Sequence, residues 1–184
     1  VLLSCRPSKP PSSDLTISQV MDHVITRLYE QVPPEKYDSI DDRFLMNFIN
    51  DEEREVLATR YQYFTVNVPV TVSLMRHKDQ RVPPFWLESS GFQKTTDVIK
   101  NTEGYEYEVW QKNFDAGTVE LGINGFDKHR PVYFISVAPQ KPGADLEITS
   151  IYPAQYNLDT LETGAFTYHD WSGLLLTEVP EKMV

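Results

Sequence analysis

A single cysteine, Cys5, among 184 residues rules out an internal disulfide framework. No apolar run approaches the roughly 18 residues that a membrane-spanning helix requires. Basic charge is scarce as well: 17 Lys and Arg stand against 27 Asp and Glu, leaving a net charge of −10. A field of that sign repels phosphate backbones and removes nucleic acid from the expected partners. No glycine-rich phosphate loop and no HExxH, CxxC or GxSxG signature is present. With the only thiol at the N-terminal end, cysteine nucleophilic catalysis is not expected, and nothing in the order of the four histidines marks a serine triad.

What is present suffices for a sizeable core. A chain of 184 residues, 40% of them hydrophobic, can bury roughly two-thirds of the surface its unfolded form exposes. Cys5 follows Leu2-Leu3-Ser4, a stretch that resembles the bacterial lipoprotein box, where a cysteine is lipidated after the signal peptide is cut. The Pro-, Ser- and Lys-rich segment behind it suits a tether. The expected organisation is a signal-peptide remnant over 1–5, a flexible tether over 6–15, a helical segment over 16–62 and a β-sandwich over 63–184. Both ends are expected to be cut from a longer protein.

Thr16 and Gln19 fit a capping box, with Leu15 and Val20 placed as its hydrophobic staple. Ile17, Val20, Met21, Val24 and Leu28 form the stripe of an amphipathic helix that Pro33-Pro34 ends and that is expected to cover part of a sheet. Phe44, Leu45, Phe48 and Ile49 mark a second helical patch. Asn50 with Glu53 caps a third, from Asp51 to about Tyr61. Asp51, Glu52 and Glu53 crowd its first turn, where a solvated, dipole-matched helix start is preferred to a divalent-metal site.

The period then changes to two. Phe64, Val66, Val68, Val70, Val72 and Leu74 alternate with mostly polar residues, and Pro69 requires an edge, a bulge or a passage between sheets. Arg76 to Arg81 reads as a solvated polar loop, Pro84 to Leu87 as a short buried strand, and Thr95 to Ile99 as a further strand. Tyr105 to Gln111 is expected to be exposed on one side over its first half. The turn Asp115-Ala116-Gly117, a hairpin at Asn124-Gly125 and a central strand over Val132 to Val137 complete an antiparallel meander. Strands over Leu146 to Tyr152 and Leu174 to Thr177 close the pattern. The fold class is α+β: an antiparallel β-sandwich, immunoglobulin-, fibronectin III- or jelly-roll-like, with an N-terminal helical segment packed on it.

No catalytic residue and no metal ligand is assigned. Asp127 and His129, in the charged loop after the expected hairpin, and His169, Asp170 and Trp171 are the ligand-binding candidates, because Asp with His can ligate a metal or orient a sugar hydroxyl. Trp86, Trp110 and Trp171 are candidates for an exposed sugar platform, although tryptophans in a sandwich are mostly core.

NVPVTVSLMR (Asn67 to Arg76), PFWLESSGF (Pro84 to Phe92), YEVWQKNFDAGTVELGINGF (Tyr107 to Phe126), YFISVAPQ (Tyr133 to Gln140) and GAFTYHDW (Gly164 to Trp171) resemble the N-terminal region of Bacteroidetes-type secreted metallophosphoesterases similar to purple acid phosphatases. The resemblance covers roughly residues 16–184 and implies a sandwich that precedes a calcineurin-like catalytic domain with two divalent metals. That superfamily's catalytic motifs, DxH or DxG, GDxx, GNH and GHxH, are absent, so no metal ligand is carried over. The chain is therefore expected to be a non-catalytic accessory domain, with the catalytic domain as partner in cis and the membrane as partner through lipidated Cys5. The implied location is the periplasm, the outer membrane or outside the cell. The alternative is a surface lipoprotein module that binds carbohydrate through exposed aromatics.

Overall fold

Proline has no amide hydrogen to give a strand ladder, and at Pro69 the chain changes sheets. The computed structural model describes residues 14–126, 132–156, 158–165 and 174–183. The expected single strand around Pro69 is two: β1 (Gln62–Val66) and β2 (Val70–His77). They are followed by β3 (Gln93–Asn101), β4 (Glu106–Phe114), β5 (Gly117–Leu121), β6 (Phe134–Pro139), β7 (Ile148–Tyr152) and β8 (Leu176–Glu178). A small sheet runs β5-β1-β7 and a larger one β6-β2-β4-β3-β8, with every pairing antiparallel.

The register explains how the two sheets form one sandwich. In the small sheet Gln62 pairs with Leu121 and Val66 with Gly117. The ladder resumes in the large sheet with Val70 opposite Phe114 and continues to His77 opposite Tyr107. Residues 67–69 thus face only 115–116, and this bulge folds one long antiparallel ribbon over on itself, the usual way strands turn a sandwich corner. Phe64, Val66, Val119 and Leu121 from the small sheet meet Val70, Val72, Leu74 and Trp110 from the large one in a shared core. β4 and β5 therefore lie in different sheets, and the expected meander does not form.

Other local expectations change for related reasons. After β5, Ile123 donates its amide to Leu57 O at 2.8 Å, and β6 pairs with β2. Asn124-Gly125 is consequently a connection between sheets and not a hairpin turn. β6 is an edge strand and half-buried rather than central. Residues 84–91 form consecutive turns, with Leu87 N donating to Pro84 O at 2.9 Å, although Trp86 and Leu87 are buried as expected. Arg76 and His77 belong to β2 and are buried, so that part of the supposed solvated loop lies in the sandwich. β4 is buried on both sides from Tyr107 to Trp110, where one exposed side was expected. Its Glu108 and Trp110 face inward, while Tyr107 and Val109 join Met75, Ile99 and Leu176 in an outer cluster closed by Leu161, Val179 and Met183.

The helices form where their caps and stripes place them. α1 (Ile17–Gln31) has both arms of the Thr16/Gln19 capping box, and α3 (Asp51–Thr59) has both arms of the Asn50/Glu53 box. Between them lie a 3₁₀ turn over Pro34–Ser39 and α2 (Asp42–Phe48), capped by Asp41. Val20 and Val24 of α1 pack with Ile49, Val56 and Leu57. α3 in turn rests on β5, so α1 reaches the β layers mainly by way of α3.

Candidate functional site

Alternation places Glu108 of β4 on the inner face directly opposite Arg76 of β2. Arg76 is 4% exposed and Glu108 8%, too deep for an unpaired charge to persist. The carboxylate accepts from the Arg76 guanidinium, from the Lys94 ammonium and from Trp110 Nε1 at 2.9 Å. Arg76 also donates to Gln80 O, and Gln80 Nε2 donates to Asn124 O at 2.8 Å. Burial pushes the Glu108 carboxyl upward, but the hydrogen bonds from Lys94, Trp110 and Arg76 outweigh it and hold the group below its ordinary range.

A second pair joins the helices. Glu53, 2% exposed, accepts from Arg27 at 2.5 and 2.8 Å and from the Asn50 amide at 2.9 Å. The Arg27 hydrogen bond lowers its pKa against the opposing effect of burial. The first turn of α3 is therefore not a uniformly solvated acidic start: Glu53 is buried, and Asp51 is exposed and pairs with Arg54 at 3.0 Å.

Both carboxylates have native pKa values below their unfolded ones. Their stabilisation is complete above the unfolded value near 4.3 and is lost as pH falls through the native values. Urea midpoints are expected to stay level from neutrality to about pH 5 and then fall, with a shallower acid limb in Glu53→Gln. An acid limb unchanged in that variant removes Glu53 from the account.

The open side of the core lies between α3, the 85–90 turns and the β4–β5 corner. Two hollows there, of about 250 and 410 Å³, share Ala58, Trp86 and Ser89 as walls. The smaller is also lined by Lys112, Phe114, Thr118 and Glu120. The Lys112 ammonium sits 4.4 Å from the ring centre of Phe114 and 5.9 Å from that of Phe92. It makes no ion pair with any described residue, and burial lowers its pKa. Across the β5–β1–β7 sheet, Glu120 stands opposite Tyr63 and Tyr63 opposite Tyr152, the two tyrosine rings stacking at 4.8 Å.

Cys5, Asp127, His129, His169, Asp170 and Trp171 lie outside the described residues. Trp86 and Trp110 are 2% and 5% exposed, which removes them as candidates for an exposed sugar platform and places them in the core. Their indole nitrogens bind Ile123 O and Glu108 within the fold. Sequence reasoning passed over Glu108, Arg76 and Lys112. The only signal for them was a charged residue at an inward position of an alternating strand.

No group of three or more His, Cys, Asp and Glu side chains gathers among the described residues to hold a metal ion, and none of their helices is long and apolar enough to cross a membrane. The chain matches no protein-family model, no curated protein and no solved structure.

Proposed function

We propose that this chain is a non-catalytic sandwich module, anchored in the cell envelope through lipidated Cys5, that positions a two-metal metallophosphoesterase domain of the same polypeptide. The supporting observation is the use made of the buried charges. Glu108 with Arg76 and Lys94, and Glu53 with Arg27, are paired with one another inside the scaffold and tie strand to strand and helix to helix. Such pairs favour one arrangement of the elements over others, a role suited to a positioning domain. The GDxx, GNH and GHxH motifs of that superfamily are absent from the sequence, so the two divalent metals implied by the resemblance are assigned to the catalytic domain and no step is routed through this one. The carbohydrate reading is weakened by the burial of Trp86 and Trp110.

The coding sequence beyond Val184 is expected to continue in frame into Asp-, His- and Asn-containing metal motifs. The 184-residue chain is expected to leave a chromogenic phosphomonoester intact with added divalent metal. A stop codon after Val184, or hydrolysis by the purified chain, overturns the proposal.

A further inference from the structure

Among the described strands four form sheet edges, and three of them are guarded in the ways that edges usually are. β5 rests against α3, and Ile123 close behind it donates its amide to Leu57 O. β7 is interrupted by a register shift between Thr149 and Tyr152, beside Ser150 with φ of 52°. β8 has three residues. β6 differs: it keeps six consecutive pairs with β2 without a shift, carries no charged side chain, and is blunted only by Pro139 at its end.

The ladder fixes what this edge displays. Gln140 donates its amide to Pro69 O at 3.0 Å, and alternation from that bond aims the N–H and C=O groups of Phe134, Ser136 and Ala138 at β2 as well. Ile135 and Val137 aim theirs the opposite way, where they have no partner among the described residues. The outward donors on either side are already accounted for: the Tyr133 amide donates to Asn124 Oδ1 at 3.3 Å, and Pro139 has none. Two free donors remain, placed symmetrically about Ser136.

A second copy of β6 matches that symmetry. Run antiparallel with Ser136 facing Ser136 across a two-fold axis, Ile135 of each copy pairs with Val137 of the other, so all four free N–H groups meet carbonyls. The ladder then stops where Pro139 faces Tyr133, neither of which has a donor left. The inward side chains of Ile135 and Val137, half-buried at the margin of the shared core, cover each other across the new pair. Residues 132–140 carry no charge in a chain of net charge −10, so two copies meet there without opposing like charges. We propose that the chain forms a two-fold dimer by pairing β6 with β6, which joins the two large sheets into one. The proposal does not rest on the accessory-domain reading, since β6 lies wholly within this chain.

Sedimentation equilibrium of the full chain in about 0.15 M salt, where repulsion beyond roughly 8 Å is screened, is the first test. It is expected to show a monomer–dimer equilibrium with a dissociation constant between about 1 µM and 1 mM, as suits a small interface. Hydrogen exchange at the Ile135 and Val137 amides is expected to slow at least about twofold between dilute and concentrated chain, the change when half of it is paired. The Ser136 and Ala138 amides, bonded to β2, are expected not to change. Ser136→Lys and Ser136→Asp each set like charges face to face across the axis and are expected to weaken association about tenfold or more, whereas an equimolar mixture of the two restores it. A chain that stays monomeric to about 1 mM, or a dimer in which both outward amides exchange as before, overturns the proposal in the unaltered chain. A mixture of the folded variants that associates no better than either alone does the same.

Discussion

Replacing Glu108 by Ala is expected to destabilise the fold by about 3–5 kcal/mol, the usual cost of removing one partner from a buried ion pair. The reason is what remains behind. Arg76, 4% exposed on the inner face of β2, loses its carboxylate in a place water does not reach, and Trp110 Nε1 loses its acceptor. Lys94 should matter far less: its side chain is 53% exposed, so Lys94→Ala is expected to cost under about 1 kcal/mol. A combined Arg76→Met and Glu108→Leu exchange is expected to recover most of the loss, because it removes both charges and fills the space. Urea denaturation decides the matter. A Glu108→Ala chain within 1 kcal/mol of the parent, on the scale of an exposed pair, means the cluster is wetter than the structure has it.

Gly122→Ala is expected to be of similar severity, about 3 kcal/mol or more. A Cβ built on Gly122 would stand 2.7 Å from the Cα of Ala58 and 2.5 Å from Cδ1 of Trp86. The first of these is backbone of α3 and cannot swing aside. Displacing the indole instead breaks the 2.8 Å bond from Trp86 Nε1 to Ile123 O. It also disturbs Tyr133, whose hydroxyl donates to Gly122 O at 2.5 Å and whose pKa burial raises well above the ordinary phenol. Gly104→Ala separates the steric cause from a conformational one. Gly104 has φ of 78° but nothing within 4 Å of its Cβ position, so its cost is expected to be only about 1 kcal/mol. Equal losses in the two variants, measured by chemical denaturation, refute the close-approach argument.

The features that were legible in the chain are those whose cause is local. Thr16 with Gln19 and Asn50 with Glu53 close their capping boxes as the spacing predicts, because the partners are three residues apart whatever the rest of the chain does. The alternation around Phe64 and Leu74 and the helical stripe through Val20 and Val24 likewise place the right faces inward. Pro69 was readable as one of three things, and the register across the corner selects the passage between sheets.

The sequence by itself determined the helices, most of the strands and the α+β class, since capping, helical period and strand alternation act over a few residues, but it did not show that Pro84 to Leu87 would turn or that β4 would be covered on both faces. Only the tertiary structure decided which strands are neighbours. It sent β5 to β1 instead of β4, made β6 an edge, and turned Asn124-Gly125 into a crossing. It also set a charged strand residue, Glu108, against Arg76, and a loop glycine, Gly122, against α3. The physical reason is common to these cases. Pairing partners and close approaches are fixed by which distant surfaces bury each other, and alternation shows that a side chain faces inward without showing what it will meet there.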